Sequence, residues 1–430
     1  MGVNLKNNHI FFYSSDKDRY YLINLHTKNI KRISKSVSDL LELCNGKLEK
    51  DQIISAYDDN IKDQVKEIIN TLFIKGVIED VNLKQLMHDS CYIENLIPKF
   101  ETIYLNITSK CNLRCNFCSS GKIVEKEYMN IDDYVKIAEQ LNMIYIKKPV
   151  ICITGGEPLV YSSFFEIANI FIEYGFKVCL LTNGTLINQN NYRCFQKFSD
   201  IGISLDSLDE KDHEFRRGNI AGCYKKAIKA IKLLSSIVGP KVWIQTTIDN
   251  KNLNKMDDIV KFADVNKIYG VRFGVMHSLG KGENDTSNYL IPEEFALYYK
   301  RLLELKNKFP NLKINESFSA NTFNENIIEN SKCRIQNSCL INHDGSMSVC
   351  PGFLKERDFT DIKLSDHDFL TVVNNSKLIK YFKNHTLEDL DECAKCGIRY
   401  YCYGGCRGEE AVCTNEKKER MILCLEKTLI

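Results

Sequence analysis

The sequence contains no apolar run near the ~20 residues that a membrane-spanning helix needs. Its opening stretch, MGVNLKNNHIFFYSSDKDRYY, lacks the charged, apolar and small-residue order of a secretory signal. Charge of either sign is scarcely in excess, since 58 Lys and Arg face 56 Asp and Glu for a net +2. Nothing in that balance favours a nucleic-acid surface or an anionic membrane as partner. The reading is therefore a soluble, cytoplasmic protein. At 430 residues and 44% hydrophobic it is long enough for two or three domains with real cores.

Cysteine, by contrast, is plentiful. Eighteen are present, too many for a reducing compartment unless most bind metal. Three sit together at Cys111, Cys115 and Cys118, and nine lie between Cys333 and Cys424. Cys44, Cys91, Cys152, Cys179, Cys194 and Cys223 are scattered, as small core hydrophobes are.

Residues 1–85 read as one compact unit. HIFFYS, RYYLINL and NIKRIS are short strands joined by polar turns. Val37, Leu40, Leu41 and Cys44 then repeat at helical spacing up to Asn45-Gly46, KDQIISAY makes a second helix, and Val65, Ile68, Ile69, Leu72 and Phe73 line a third that ends at Gly76. With the strand VIED after it, the outline is a winged helix, but the third helix has too few basic residues for DNA. Over residues 100–315 strands and helices alternate. TIYLNI, VICITG, FKVCLLT, IGISLD, VWIQTTI and VRFGVM are six strands, separated by helical stretches such as IDDYVKIAEQL, FFEIANIFIEY and GCYKKAIKAIKLL. Six β-then-α units predict an α/β fold with a parallel sheet, open or closed into a barrel, whose ligands sit at the carboxyl ends of the strands. Residues 325–430 are cysteine-rich and glycine-punctuated, a segment organised around metal more than around a core.

The loop CNLRCNFC follows the first of the six strands, so it lies on the functional rim. Its three thiolates suit three irons of a cubane cluster, leaving the fourth iron open to a small molecule. Zinc would need a fourth ligand, and no nearby His or Cys supplies it. Gly155-Gly156-Glu157-Pro158 ends the second strand, with bare backbone at the glycines and a carboxylate able to accept hydrogen bonds from an ammonium group.

Cys111, Cys115 and Cys118, with Phe117 before the last cysteine and GGEP at 155–158, resemble the signature of radical S-adenosylmethionine (SAM) enzymes. The resemblance implies a partial (β/α)6 barrel and a [4Fe–4S] cluster whose open iron takes the amino and carboxylate groups of SAM. It makes the three cysteines catalytic, puts Gly155, Gly156, Glu157 and Pro158 at the methionine amino group, and marks Asn183, Ser204 and Arg217 as contacts to ribose and carboxylate. The tail, Cys393-x₂-Cys396-x₅-Cys402-x₃-Cys406 with Cys333-x₁₁-Gly345-x₄-Cys350 ahead and Cys424 behind, resembles the SPASM extension, which holds two auxiliary clusters. That likeness assigns Cys333, Cys339, Cys350 and Cys406 to the first cluster and Cys393, Cys396, Cys402 and Cys424 to the second, with Cys413 the alternative to Cys424. Only five residues separate Cys339 from Gly345, which leaves open whether the first cluster has a free iron.

The N-terminal unit resembles the PqqD-like element of peptide-modifying enzymes, which takes the leader of a precursor peptide as an added strand. Together these likenesses imply a maturase of ribosomally made peptides, fed by an electron donor such as flavodoxin or ferredoxin. CITGGEP and GISLDSLDEKDHEFRRG are most similar to the enzymes that form sulfur-to-carbon thioethers. Sulfatase-maturing relatives carry an acidic base after the third auxiliary cysteine, where this chain has Pro351. Carbon–carbon or ether cross-linking, epimerisation, and a non-catalytic iron–sulfur or zinc scaffold that binds peptides are the alternatives.

Overall fold

Apolar residues at every second position of six strands decide the centre of the molecule. Ile103 and Leu105, Ile151 and Ile153, Val178 and Leu180, Ile201 and Ile203, Val242 and Ile244, and Val271 and Phe273 all enter one continuous core beneath the covering helices. The computed structural model describes residues 2–6, 9–14, 19–24, 27, 29–81, 100–119, 128–277, 279–284, 286–316, 337–355, 358–384 and 396–397.

The chain begins with β1 (Gly2–Leu5), β2 (His9–Ser14), β3 (Arg19–Asn24) and β4 (Asn29–Ile33), then α1 (Lys35–Leu43), β5 (Asn45–Glu49), α2 (Lys50–Ser55), α3 (Lys62–Ile74) and β6 (Ile78–Val81). Ser34 caps α1, its Oγ accepting the Val37 amide at 3.2 Å. Leu40, Leu41, Cys44, Val65, Ile69 and Leu72 make a separate small core. β2, β3 and β4 form an antiparallel meander, and β5, β1 and β6 form a second sheet. The expected wing strand thus pairs with β1. Neither β1 nor β5 was foreseen, because four or five residues show too little alternation to stand out.

The six expected strands are β7 (Thr102–Asn106), β8 (Val150–Thr154), β9 (Val178–Thr182), β10 (Asp200–Ser204), β11 (Lys241–Ile248) and β12 (Gly270–Val275). They run parallel in chain order. The helices Ile131–Ile144, Phe164–Glu173 and Cys223–Ser235 fall where the sequence places them. The fold is the α/β parallel sheet that the strand-helix alternation predicts, in the partial-barrel form that the family resemblance implies. Three further strands widen it: β13 (Lys313–Glu316) joins β12, β14 (Ser338–Asn342) joins β7 in parallel, and β15 (Met347–Ser348) folds back on β14. The nine strands leave the sheet open, with β13 and β15 at its edges. No helix among the described residues is long and apolar enough to cross a membrane.

Of the scattered cysteines, Cys44, Cys152 and Cys223 are buried and Cys179 is half-buried. Cys194 departs from the expectation: it is exposed, on the short turn Tyr192–Phe195 where Phe195 alone points inward. Cys91, Cys333, Cys393, Cys402, Cys406, Cys413 and Cys424 lie outside the described residues.

Candidate active site

β7 ends at Asn106, and the chain passes directly into the cysteine loop. Backbone bonds fix that loop from two sides. On one, Gly156 N–H donates to Thr108 O and Glu157 N–H to Lys110 O, both at 2.8 Å. A Cβ at Gly156 would collide with the carbonyls of Ser109 and Lys110, so only glycine permits this approach. On the other, Arg114 and Asn116 donate to the carbonyls of Arg217 and Arg216. Gly218, at φ +88°, lies against the Arg114 carbonyl just as closely. Lys281 N–H closes the end of the loop on Cys118 O at 3.0 Å.

Glu157 is 1% exposed at the head of the next strand end. Its Oε1 accepts from Thr182 Oγ1 (2.7 Å) and Leu159 N–H (3.2 Å), and its Oε2 from Asn183 N–H (2.7 Å). Burial raises its pKa, and these donors pull in the opposite direction. A carboxylate has about four acceptor positions, so capacity is left on Oε2. Asn183 has its Nδ2 on Asn112 Oδ1 (2.8 Å) and its Oδ1 under Thr185 N–H (2.9 Å). Ser204 is the last residue of β10.

Arg217 lies beneath the loop. Its Nη1 donates to Cys115 Sγ at 3.5 Å, its Nη2 pairs with Asp206 at 2.8 Å, and its guanidinium stacks 5.2 Å from the Phe117 ring centre. Burial opposes its charge, but Asp206 and Cys115 outweigh burial and raise its pKa. Arg216 also lies over the Phe117 ring, at 5.3 Å, and is bonded to Asp249 at 2.7 Å. His213 accepts the Asp206 amide on Nδ1, and burial lowers its pKa to about 4, so the ring is neutral. Asp206 and Arg217 are both buried, and removing one partner of such a pair costs about 3–5 kcal/mol. Asp206→Ala is therefore expected to lower unfolding stability by that order in a denaturant titration, and to loosen the cysteine loop with it.

The three thiols fit a cluster. The Leu113 amide donates to the Cys111 sulfur at 3.4 Å. Hydrogen bonds to cysteine sulfur from Leu113 and Arg217 are the kind that tune an iron–sulfur cluster. Among the described residues no three of His, Cys, Asp and Glu converge as they would on a single metal ion. A cubane takes each thiolate to a different iron, so its ligands surround a body and not a point.

Residues 105–263 match the Radical SAM superfamily model. Those residues form a radical SAM domain. The match spans the strands from β7 to β11, and the superfamily implies a [4Fe–4S] cluster and SAM. GTP 3′,8-cyclase of Clostridium botulinum is 25% identical to this chain over 310 residues, covering 69% of this chain and 95% of the cyclase. The antilisterial bacteriocin subtilosin biosynthesis protein AlbA of Bacillus subtilis is 25% identical over 399 residues, 87% of this chain and 84% of AlbA. Among solved structures, Streptococcus suis SuiB bound to its precursor peptide SuiA superposes with a TM-score of 0.61 at 18% identity, covering 95% of this chain and 98% of SuiB.

The enzyme thus gathers Cys111, Cys115, Phe117, Cys118, residues 155–158, Asn183, Ser204 and Arg217 at the carboxyl ends of β7 to β10. The auxiliary candidates are elsewhere. Cys350 follows β15, its Sγ accepting the Gly352 amide at 3.4 Å. Cys339 is buried within β14. Cys396 is buried beside Gly397, whose carbonyl accepts the Phe11 amide of β2 at 2.9 Å. Sequence reasoning missed Asn112, Thr182, Asp206, Arg216, Gly218 and Asp249. A signal existed for three of them, since SLD and RRG stand inside the stretch that carried the family likeness.

Proposed function

We propose that this enzyme modifies a ribosomally made precursor peptide, joining cysteine sulfur to a peptide carbon as a thioether. The observation that carries the reading is a groove on the N-terminal unit. It measures about 470 Å³, and Lys31, Arg32 and Ile33 of β4 face Glu67, Ile68 and Thr71 of α3 across it. Among the described strands β4 pairs only with β3, so its outer backbone is open to an added strand. A leader held there places the rest of the peptide near the barrel at high effective concentration. The likeness to AlbA and SuiB supports a peptide substrate.

When bound, the [4Fe–4S] cluster and SAM supply a 5′-deoxyadenosyl radical, drawing an electron from a cytoplasmic donor of the flavodoxin or ferredoxin type. The chain's own part is to hold and orient. Cys111, Cys115 and Cys118 hold the cluster, while Arg217 and the Leu113 amide donate to two of the sulfurs. The spare acceptor position on Glu157 Oε2, beside the bare backbone of Gly155 and Gly156, would receive the methionine amino group. Pro158 starts the turn that keeps Glu157 there, and Asn183 and Ser204 would contact the ribose. Two auxiliary clusters, held by the cysteines assigned above, complete the reading.

Anaerobic reaction with the cognate precursor peptide, followed by mass spectrometry with thiol alkylation, tests this. The expected product has lost two hydrogens per link and holds cysteines that no longer alkylate. Loss of two hydrogens with alkylatable cysteines assigns a carbon–carbon or ether link, and unchanged mass with altered stereochemistry assigns epimerisation.

A further inference from the structure

Side chains alternate along a strand, so the residues between those of the helix-covered core line the inner face of the partial barrel. Cys152, Cys179, Asp200, Trp243 and Arg272 lie there, and none of them belongs to that core. Arg272 differs from the two arginines beside the cysteine loop. Arg216 and Arg217 each hold a carboxylate, at 2.7 and 2.8 Å. Among the described residues Arg272 pairs only with Asp200, and at 3.9 Å, too far for a hydrogen bond. Asp200 Oδ1 already accepts the indole N–H of Trp243 at 2.8 Å.

Trp243 is the single tryptophan of the sequence, and it is buried. Its ring centre lies 3.8 Å from the guanidinium carbon of Arg272. That stacking covers one flat face of the guanidinium and leaves the N–H groups at its edge. Among the described residues they donate to nothing, and the side chain is 28% exposed. Burial lowers the Arg272 pKa, and Asp200, Cys179, Cys152 and Tyr104 do not make up the loss. The cation is under-compensated where it stands.

Position says what can meet it. Ser204, Gln245 and Arg272 are register partners on three neighbouring strands. Arg272 is thus two strands, about 10 Å, from the expected ribose contact and on the same face. Its side chain runs back toward Asp200, which begins β10, whereas Ser204 ends it. The guanidinium therefore sits deeper in the barrel than SAM is expected to. A peptide carbon that gives up its hydrogen has to lie beside SAM, so a neighbouring group of the peptide reaches this depth.

We propose that Arg272 is a specificity residue, receiving a carboxylate of the precursor peptide on its free N–H edge with Trp243 as backing. This rests on the peptide-substrate reading above. A planar fork matches the two oxygens of a carboxylate. With Asp200 close by, one guanidinium balances a single negative charge, which suits a carboxylate and not a phosphate. An Asp or Glu side chain and the C-terminus offer the same chemistry.

The test uses full-length reconstituted enzyme and the cognate precursor. Each Asp and Glu of the modified region is replaced singly by Asn or Gln, and in a further peptide the C-terminal carboxylate is amidated. One of these changes is expected to raise KM more than about tenfold, the scale of a lost hydrogen bond to a charged group, with kcat little altered. Which change does so identifies the source of the carboxylate. Arg272→Gln is expected to raise KM alike for the unaltered precursor, and the peptide change that mattered then has no further effect. Arg272→Lys, which keeps the charge and loses the fork, should restore only part of the affinity.

Parental KM for every altered peptide overturns the proposal. That arm needs no enzyme variant, so it decides even if Arg272→Gln fails to fold. Losses that add when peptide and enzyme are changed together also overturn it, since groups in contact are not independent. A parental enzyme that leaves the unaltered precursor unmodified overturns the peptide reading itself, a separate failure that removes this proposal with it.

Discussion

Replacing Cys111, Cys115 and Cys118 together with alanine is expected to reduce SAM-dependent formation of 5′-deoxyadenosine to background. Each thiolate holds a different iron, and a cubane that loses a ligand opens to degradation. Iron in the reconstituted protein should fall from about twelve to about eight per chain, on the reading of three cubanes. The measurement is 5′-deoxyadenosine under dithionite, by chromatography. Undiminished production would remove the cysteine loop from the chemistry, and zinc in anaerobically purified protein would count against iron–sulfur clusters altogether.

Filling the N-terminal groove should separate radical generation from peptide modification. Thr71→Trp places an indole between α3 and β4, in the space an added strand needs. Modification of full-length precursor is expected to fall by more than about tenfold, since losing a tether removes an effective concentration of the millimolar order. Uncoupled 5′-deoxyadenosine formation should stay at the parental rate, because the groove residues lie outside the loop network. Deleting residues 1–85 should act in the same direction, with partial recovery when the isolated unit is supplied in trans. The deletion is the coarser experiment, as it also removes Phe11 from Gly397. Parental modification by Thr71→Trp would show that the leader does not bind in this groove.

The six central strands were legible because each is a β-branched, apolar run set against amphipathic helices, and that contrast is strong. The cysteine loop and GGEP were legible because their residues are contiguous. The supports were not. Asp249 reaches Arg216 across 33 positions and Asp206 reaches Arg217 across eleven, and no local period announces such pairs. β13, β14 and β15 are four, five and two residues long, and β14 owes its place to a partner 236 positions away. Cysteine spacing counts thiols without saying which lie inside a strand, as Cys339 does in β14.

The pairing of β14 with β7 has a consequence for how the chain is made. β7 emerges from the ribosome early and carries the cysteine loop, yet one of its two edges stays bare until residue 342 has been synthesised. At about 5–20 residues per second that interval lasts about ten seconds or longer. During it an unpaired strand edge is a template for pairing with another chain. A product stopped near residue 330 would hold every cysteine of the SAM-binding loop and still leave that edge uncovered. The late hairpin Ser338–Ser348 therefore covers the β7 edge, and truncated forms are expected to aggregate before they can be loaded with iron.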